Sequence, residues 1–133
     1  MILGIDHVGL AVSNVEAASV TFSRLLGQEA AAVDQLGAQG VRLCFIPTMA
    51  PNLELLEPLA TESAAGRFLA RRGEGMHHVC FAVDDLEGEL ARLRDAGIAL
   101  IDCVPRRGHG GLVAFIHPRA AHGVLVELLQ RDS

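Results

Sequence analysis

At 133 residues the chain suits one compact domain, or two small modules sharing a core, and half of its residues are hydrophobic. With five Phe, no Trp or Tyr and a net charge of −5, it lacks the aromatic platforms and basic surface that nucleic-acid binding requires. No apolar stretch approaches membrane-spanning length, and Asp6 and His7 interrupt the first apolar run, so neither a membrane span nor a secretory leader is expected.

In chain order, residues 2–12 alternate as a strand, and Ser13 or Asn14 can cap the helix that follows. Val15, Ala18, Phe22, Leu25 and Leu26 form its apolar stripe, and Gly27 is its stop. A strand pair is expected at 29–34 and 40–47 around a turn at Gly37–Gly40, then a loop between Pro47 and Pro51, then a strand at 52–57. Thr61 to Arg72 reads as an amphipathic helix with Phe68 and Leu69 inward and Arg67, Arg71 and Arg72 outward. Gly73 and Gly75 release the chain from it. A strand at 76–83, an Asp84-Asp85 cap and a helix carrying Leu86, Leu90, Leu93 and Ala96 to a stop at Gly97 come next. Strands at 98–103, 112–117 and 123–130 complete the chain.

The second half repeats the first. IDHVGLAV (5–12) returns as MHHVCFAV (76–83), with His7 and His78 separated by 71 positions (78 − 7). LELL (53–56) returns as VELL (126–129), with Glu54 and Glu127 separated by 73 (127 − 54). GVRLCFIP (40–47) and GLVAFIHP (111–118) match at an offset of 71 (111 − 40), which makes Pro47 and Pro118 the ends of equivalent strands. Each half reads β-α-β-β-β within a single domain, module 1 at about 1–58, a connecting segment at about 59–75 and module 2 at about 76–133. The expected fold is α+β: two four-stranded halves with helices on one face and a cup on the other.

Strand periodicity assigns the faces. His7, Gly9 and Ala11 share one side, as do His78, Cys80 and Ala82, while Val8, Leu10, Val12 and Val79, Phe81, Val83 lie beneath the helices. Glu54 and Glu127 interrupt apolar strands, and a carboxylate there must face water, a partner or a metal. His7, Glu54, His78 and Glu127 together supply two nitrogen and two oxygen donors. That set suits Mn, Fe, Co, Ni or Zn rather than Ca or a thiolate site. Against this stands the plainer reading of core histidines and solvated edge-strand carboxylates; the symmetric placement of all four favours the metal. The three cysteines, Cys44, Cys80 and Cys103, lack CxxC spacing and fit a reducing cytoplasm.

On IDHVGLAV, LELLEPLATES (53–63), the run from Arg67 to Asp102 and FIHPRAAHGVLVELLQ (115–130), the chain resembles the vicinal oxygen chelate, or glyoxalase/bleomycin-resistance/dioxygenase-like, superfamily. Within it the chain is similar to the methylmalonyl-CoA epimerases. The resemblance implies paired βαβββ modules forming a curved mixed sheet around a metal-binding cup. It implies ligands at His7, Glu54, His78 and Glu127 for one divalent transition metal, Co2+ favoured, with Mn2+, Ni2+, Zn2+ and Fe2+ as alternatives. It further implies an acyl-CoA substrate, Glu127 and Glu54 as catalytic carboxylates with Glu127 the stronger candidate, and a homodimer. Arg71, Arg72, Arg106 and Arg107 become candidates for the CoA phosphates, set against solvated surface charge. His77 is read as structural or supporting, and His109, His117 and His122 as surface or strand-end residues. Some relatives carry a Glu proposed as a base on the strand equivalent to 40–47; here Leu43 stands at that position. The alternatives are a glyoxalase-type lyase acting on a glutathione hemithioacetal, an iron dioxygenase using His7, His78 and Glu127, and a non-catalytic binding module.

Overall fold

A computed structural model describes residues 1–49 and 51–133, so one position of the loop expected between Pro47 and Pro51 lies outside the described residues. The chain folds as two compact units, one of His7–His77 and one of Met1–Asp6 with His78–Ser133. Among the described residues no helix is long and apolar enough to cross a membrane.

In the unit His7–His77 the strand order is β2 (Asp34–Leu36), β3 (Val41–Ile46), β4 (Asn52–Pro58) and β1 (Ile2–Ala11), with β1 parallel to β4 and the other pairs antiparallel. Helix α1 (Val15–Leu26) starts where the Asn14 side chain accepts the Ala17 N–H at 2.9 Å, and it stops at Gly27, whose φ of 63° favours a residue without Cβ. Val15 is buried with Val12, Cys44, Ile46 and Leu55, and Ala18 and Phe22 pack against them. Leu25 and Leu26, expected in the same stripe, are exposed, because the buried cluster extends only as far as Phe22. The opposite face of the sheet buries Val41, Leu43 and Leu56 against Ala65 of α2 (Ala64–Arg72). Ser63 caps α2, whose first residue, Ala64, lies three residues later than the expected start at Thr61. Gly66 permits its approach: a Cβ there would lie 2.3 Å from the Ala60 carbonyl oxygen. Phe68 and Leu69 are half-buried and Arg67, Arg71 and Arg72 exposed, as the pattern predicted.

The strand expected at 29–34 is not formed. Only Asp34–Leu36 pairs with β3, and the residues before it are held by the Ala31 N–H on the Phe45 carbonyl (2.8 Å) and the Cys44 thiol on the Ala31 carbonyl (3.2 Å). The Glu-Ala-Ala-Ala run has no alternation to bury and little β propensity, so nothing extends the ladder.

In the other unit the order is β5 (Gly75–Val83), β8 (Val126–Arg131), β7 (Gly111–Ile116) and β6 (Arg106–Gly108). Asp85 caps α3 (Leu86–Asp95) by accepting the Gly88 N–H at 3.1 Å. Leu86 and Leu90 are buried with Val83, Ala114 and Leu128, and Leu93 packs against them, whereas Ala96 is an exposed C-cap. Cys80, Val113 and Leu129 are buried together on the opposite face. The strand expected at 98–103 is reduced to a single bridge, Leu100 to Ile116, and the edge strand is β6 instead. The reason is local: the Asp102 carboxylate accepts the Phe115 N–H at 2.8 Å, a bond that a neighbouring strand's carbonyl would otherwise take. The last strand starts at Val126 rather than 123, after a turn at Gly123 with φ 88°. The segment Met1–Asp6 is tied into this unit by the Met1 ammonium on Asp84 (2.7 Å) and Glu89 (2.8 Å). Arg131 adds two hydrogen bonds to the Asp6 carboxylate (2.9 Å each).

The internal repeat is preserved with one correction. Phe45 lies opposite Glu54 in the β3–β4 ladder and Phe115 opposite Glu127 in the β7–β8 ladder, so β3 and β7 correspond at an offset of 70 (115 − 45), not 71. Gly40 ends a 3-10 turn while Gly111 already belongs to β7, and matching those two glycines slips the register by one. A slip of one residue moves every side chain to the other face of the sheet.

Candidate functional site

In the unit His7–His77, β1, β4 and β3 lie side by side, and the residues facing away from α1 include His7 and Gly9, Glu54, and Leu43 and Phe45. Glu54 sits in register between Gly9 and Phe45. The His7 Nε2 lies 3.5 Å from a Glu54 carboxylate oxygen, and the His7 ring meets the Phe45 ring edge to face, with centroids 5.6 Å apart at 85°.

The second unit builds the same arrangement on β5, β8 and β7. Glu127 sits in register between Cys80 and Phe115. The His78 Nε2 lies 3.2 Å from a Glu127 oxygen, and the His78 and Phe115 rings meet edge to face at 6.1 Å and 84°. His7, Glu54, His78 and Glu127 are all between 4% and 6% exposed. The solvated edge-strand reading of the two carboxylates does not hold, since β4 and β8 each have a strand on both sides. Burying a carboxylate is tolerable only with a partner, and each has an imidazole within its own unit.

The correspondence extends to the helix starts. Glu57 accepts the Val15 N–H at 2.9 Å, and Gln130 accepts the Leu86 N–H at 2.8 Å, so the strand that carries each Glu also secures the first turn of its helix. Two differences break the symmetry: Gly9 faces Glu54 where Cys80 faces Glu127, and the Arg106 guanidinium lies 5.4 Å above the Phe115 ring.

Within each unit, an imidazole nitrogen beside a carboxylate oxygen is a donor pair of the kind that suits a divalent transition metal better than Ca2+ or a thiolate-seeking ion. Leu43 is 2% exposed within the apolar cluster with Val41, Leu56 and Ala65, so it brings no acid to this face.

Of the four arginines expected at CoA, Arg72 lies over Phe68 (5.6 Å), Arg106 is 3.3 Å from Asp102, and Arg107 makes two hydrogen bonds to Asp132 (2.9 and 2.8 Å). Arg71 is exposed on α2. His77 is half-buried edge to face with Phe68 at 5.1 Å. His117 accepts the Arg119 N–H and caps a 3-10 turn, while His109 and His122 are exposed. Phe45 and Phe115 were not singled out in the sequence; the off-by-one register concealed that they are equivalent.

The chain belongs to the Glyoxalase/Bleomycin resistance protein/Dioxygenase superfamily, whose family-wide sequence profile matches residues 6–115. Its curated relatives include methylmalonyl-CoA epimerases. The Ethylmalonyl-CoA/methylmalonyl-CoA epimerase of Cereibacter sphaeroides is 37% identical over 133 residues, covering 98% of this chain and 99% of that protein. The mitochondrial methylmalonyl-CoA epimerase of Mus musculus is 37% identical over 128 residues, 95% of this chain and 72% of that protein. A variant of Streptomyces coelicolor methylmalonyl-CoA epimerase, solved in complex with 2-nitronate-propionyl-CoA, superposes with a TM-score of 0.93 at 36% identity. It covers all of this chain and 97% of that one. The α+β fold of the superfamily, with its repeated βαβββ order, is thus the fold of this chain.

Proposed function

We propose that the protein is an isomerase that epimerises methylmalonyl-CoA at carbon 2, using a divalent cation held by His7, Glu54, His78 and Glu127. The observation that carries this reading is the duplicated buried pair, one imidazole facing one carboxylate in each unit, in a chain similar over its full length to methylmalonyl-CoA epimerases. Each pair offers too few donors alone, and the reading is that both pairs grip a single ion.

Bound there, the cation supplies Lewis-acid stabilisation to the negative charge that develops on the thioester oxygen. The chain's own residues do the rest. Glu127 takes the proton from carbon 2 onto a carboxylate oxygen, and Glu54, at the duplicated position and carrying a proton exchanged with solvent between turnovers, gives that proton to the opposite face. Phe45, Phe115, Leu43 and Val113, on the same faces, keep that exchange away from bulk water. Arg71 and Arg72 on the last turn of α2, and Arg106 and Arg107 on β6, are exposed and meet the CoA phosphates; their forked donors match phosphate oxygens. We also propose Co2+ as the favoured metal, a homodimer by analogy with the superfamily, and the cytoplasm as the location, in keeping with the cysteine spacing.

The experiment is solvent exchange. Protein incubated with methylmalonyl-CoA in D2O with Co2+ or Mn2+ is expected to place deuterium at carbon 2, and a chelator should suppress the exchange. Absence of exchange with every divalent metal tried rejects the proposal, and turnover of the methylglyoxal–glutathione adduct in its place favours a glyoxalase-type lyase. Running ethylmalonyl-CoA in parallel defines the acyl range.

A further inference from the structure

Each buried His–Glu pair has a third member that repeats with it. On the strand beyond the Glu strand a phenylalanine stands directly opposite the carboxylate, Phe45 to Glu54 and Phe115 to Glu127. Its ring meets the imidazole edge to face, at 5.6 Å and 85° in one unit and 6.1 Å and 84° in the other. The chain has only five phenylalanines, and two of them take this same position, so chance placement is a poor account. Aliphatic side chains lie near them on these faces, Leu43 and Leu56 in one unit and Val113 and Leu129 in the other.

An imidazole is free to turn about its last torsion, which is broad and roughly two-fold, and can therefore present either ring nitrogen. Aromatic pairs favour the edge-to-face arrangement, which fixes that torsion. We infer that Phe45 and Phe115 are positioning residues: each holds the imidazole of its own unit so that Nε2 faces the carboxylate before any cation arrives. The consequence for metal binding rests on the proposed cation site; the orientation itself does not. A site whose donors are already aimed loses less freedom on binding and so binds more tightly.

The first measurement uses the whole protein without metal. Histidine side-chain NMR of the wild type is expected to show one tautomer each for His7 and His78, with ring-proton shifts displaced by the adjacent phenyl ring. Phe45→Leu should broaden or split the His7 signals alone, and Phe115→Leu the His78 signals alone. Phe115→Tyr, which keeps the ring, should restore the wild-type His78 pattern. The second measurement is Co2+ affinity by chelator competition, expected to fall about tenfold in either Leu variant, in the range seen when partners of metal ligands are lost. Leu43→Ala and Leu129→Ala control for general loosening and should lower thermal stability without changing the histidine signals. The two phenylalanines lie in separate units, so either one tests the idea if the other variant fails to fold. Unchanged histidine signals in the Leu variants, or equal changes in the aliphatic controls, overturn the inference. Altered histidine signals in a protein whose wild type binds no Co2+ would support the positioning role and reject the cation site.

Discussion

Glu127 and Glu54 are nearly enclosed, and each has its own histidine as a neighbour, so only an isosteric amide at either position tests the chemistry with little change in packing. Glu127→Gln keeps the shape and removes the base; carbon-2 exchange should fall by roughly 10²–10⁴ while the circular dichroism melt stays close to wild type. His7→Ala should lower the cobalt content recovered after dialysis, read by elemental analysis. Full exchange activity in Glu127→Gln would remove that residue from the mechanism. The four polar residues could be read in the sequence because a charged or imidazole side chain inside an apolar strand is conspicuous, and its recurrence doubles the signal. Phe45 and Phe115 could not, because a phenylalanine in a strand ordinarily means core, and only the ladder shows that both stand across from a glutamate.

Elements with a chemical start signal were the readable ones. Asn14 and Asp85 both cap their helices through the side chain, and Gly27 ends α1 in the left-handed region. Asn14→Ala and Asp85→Ala should each cost ~1 kcal/mol, measured as a lower urea midpoint with an unchanged slope. Gly66→Ala should cost about 1–3 kcal/mol even though alanine is the better helix former, since the added methyl meets the Ala60 carbonyl and the Thr61 backbone. A gain in stability there would show that the 60–61 turn yields easily. The two edge strands, β2 and β6, escaped prediction for a different reason. Each has three residues, too few for a period to register, and around β6 the Asp102 carboxylate substitutes for a strand in binding the Phe115 N–H.

For the molecule as a whole, the pH response follows from carboxylates bound to cations. Glu89 is buried, and its carboxyl lies below the ordinary range, first because the Met1 ammonium bonds to it and then because Arg92 does; Asp84 is lowered in the same way by the Met1 ammonium. At pH values between the folded and unfolded values, the unfolded chain holds more protons than the folded one. Stability from these groups is therefore complete above the ordinary carboxylate value of 4.5 for Glu89 and disappears as the pH falls through the lowered folded value. A urea series from neutral pH down to 3 should show the midpoint dropping along that limb, and Glu89→Gln should flatten the drop; an identical acid limb in Glu89→Gln would exclude this cause.

Residues 1–6 fold with His78–Ser133, although the whole of the chain between them, His7–His77, belongs to the other unit. A protease nick near Gly73 would therefore not liberate two self-sufficient halves. The carboxy-terminal piece would lack the ammonium partner of Asp84 and Glu89 and the carboxylate that Arg131 grips, and would need the amino-terminal fragment back to complete itself.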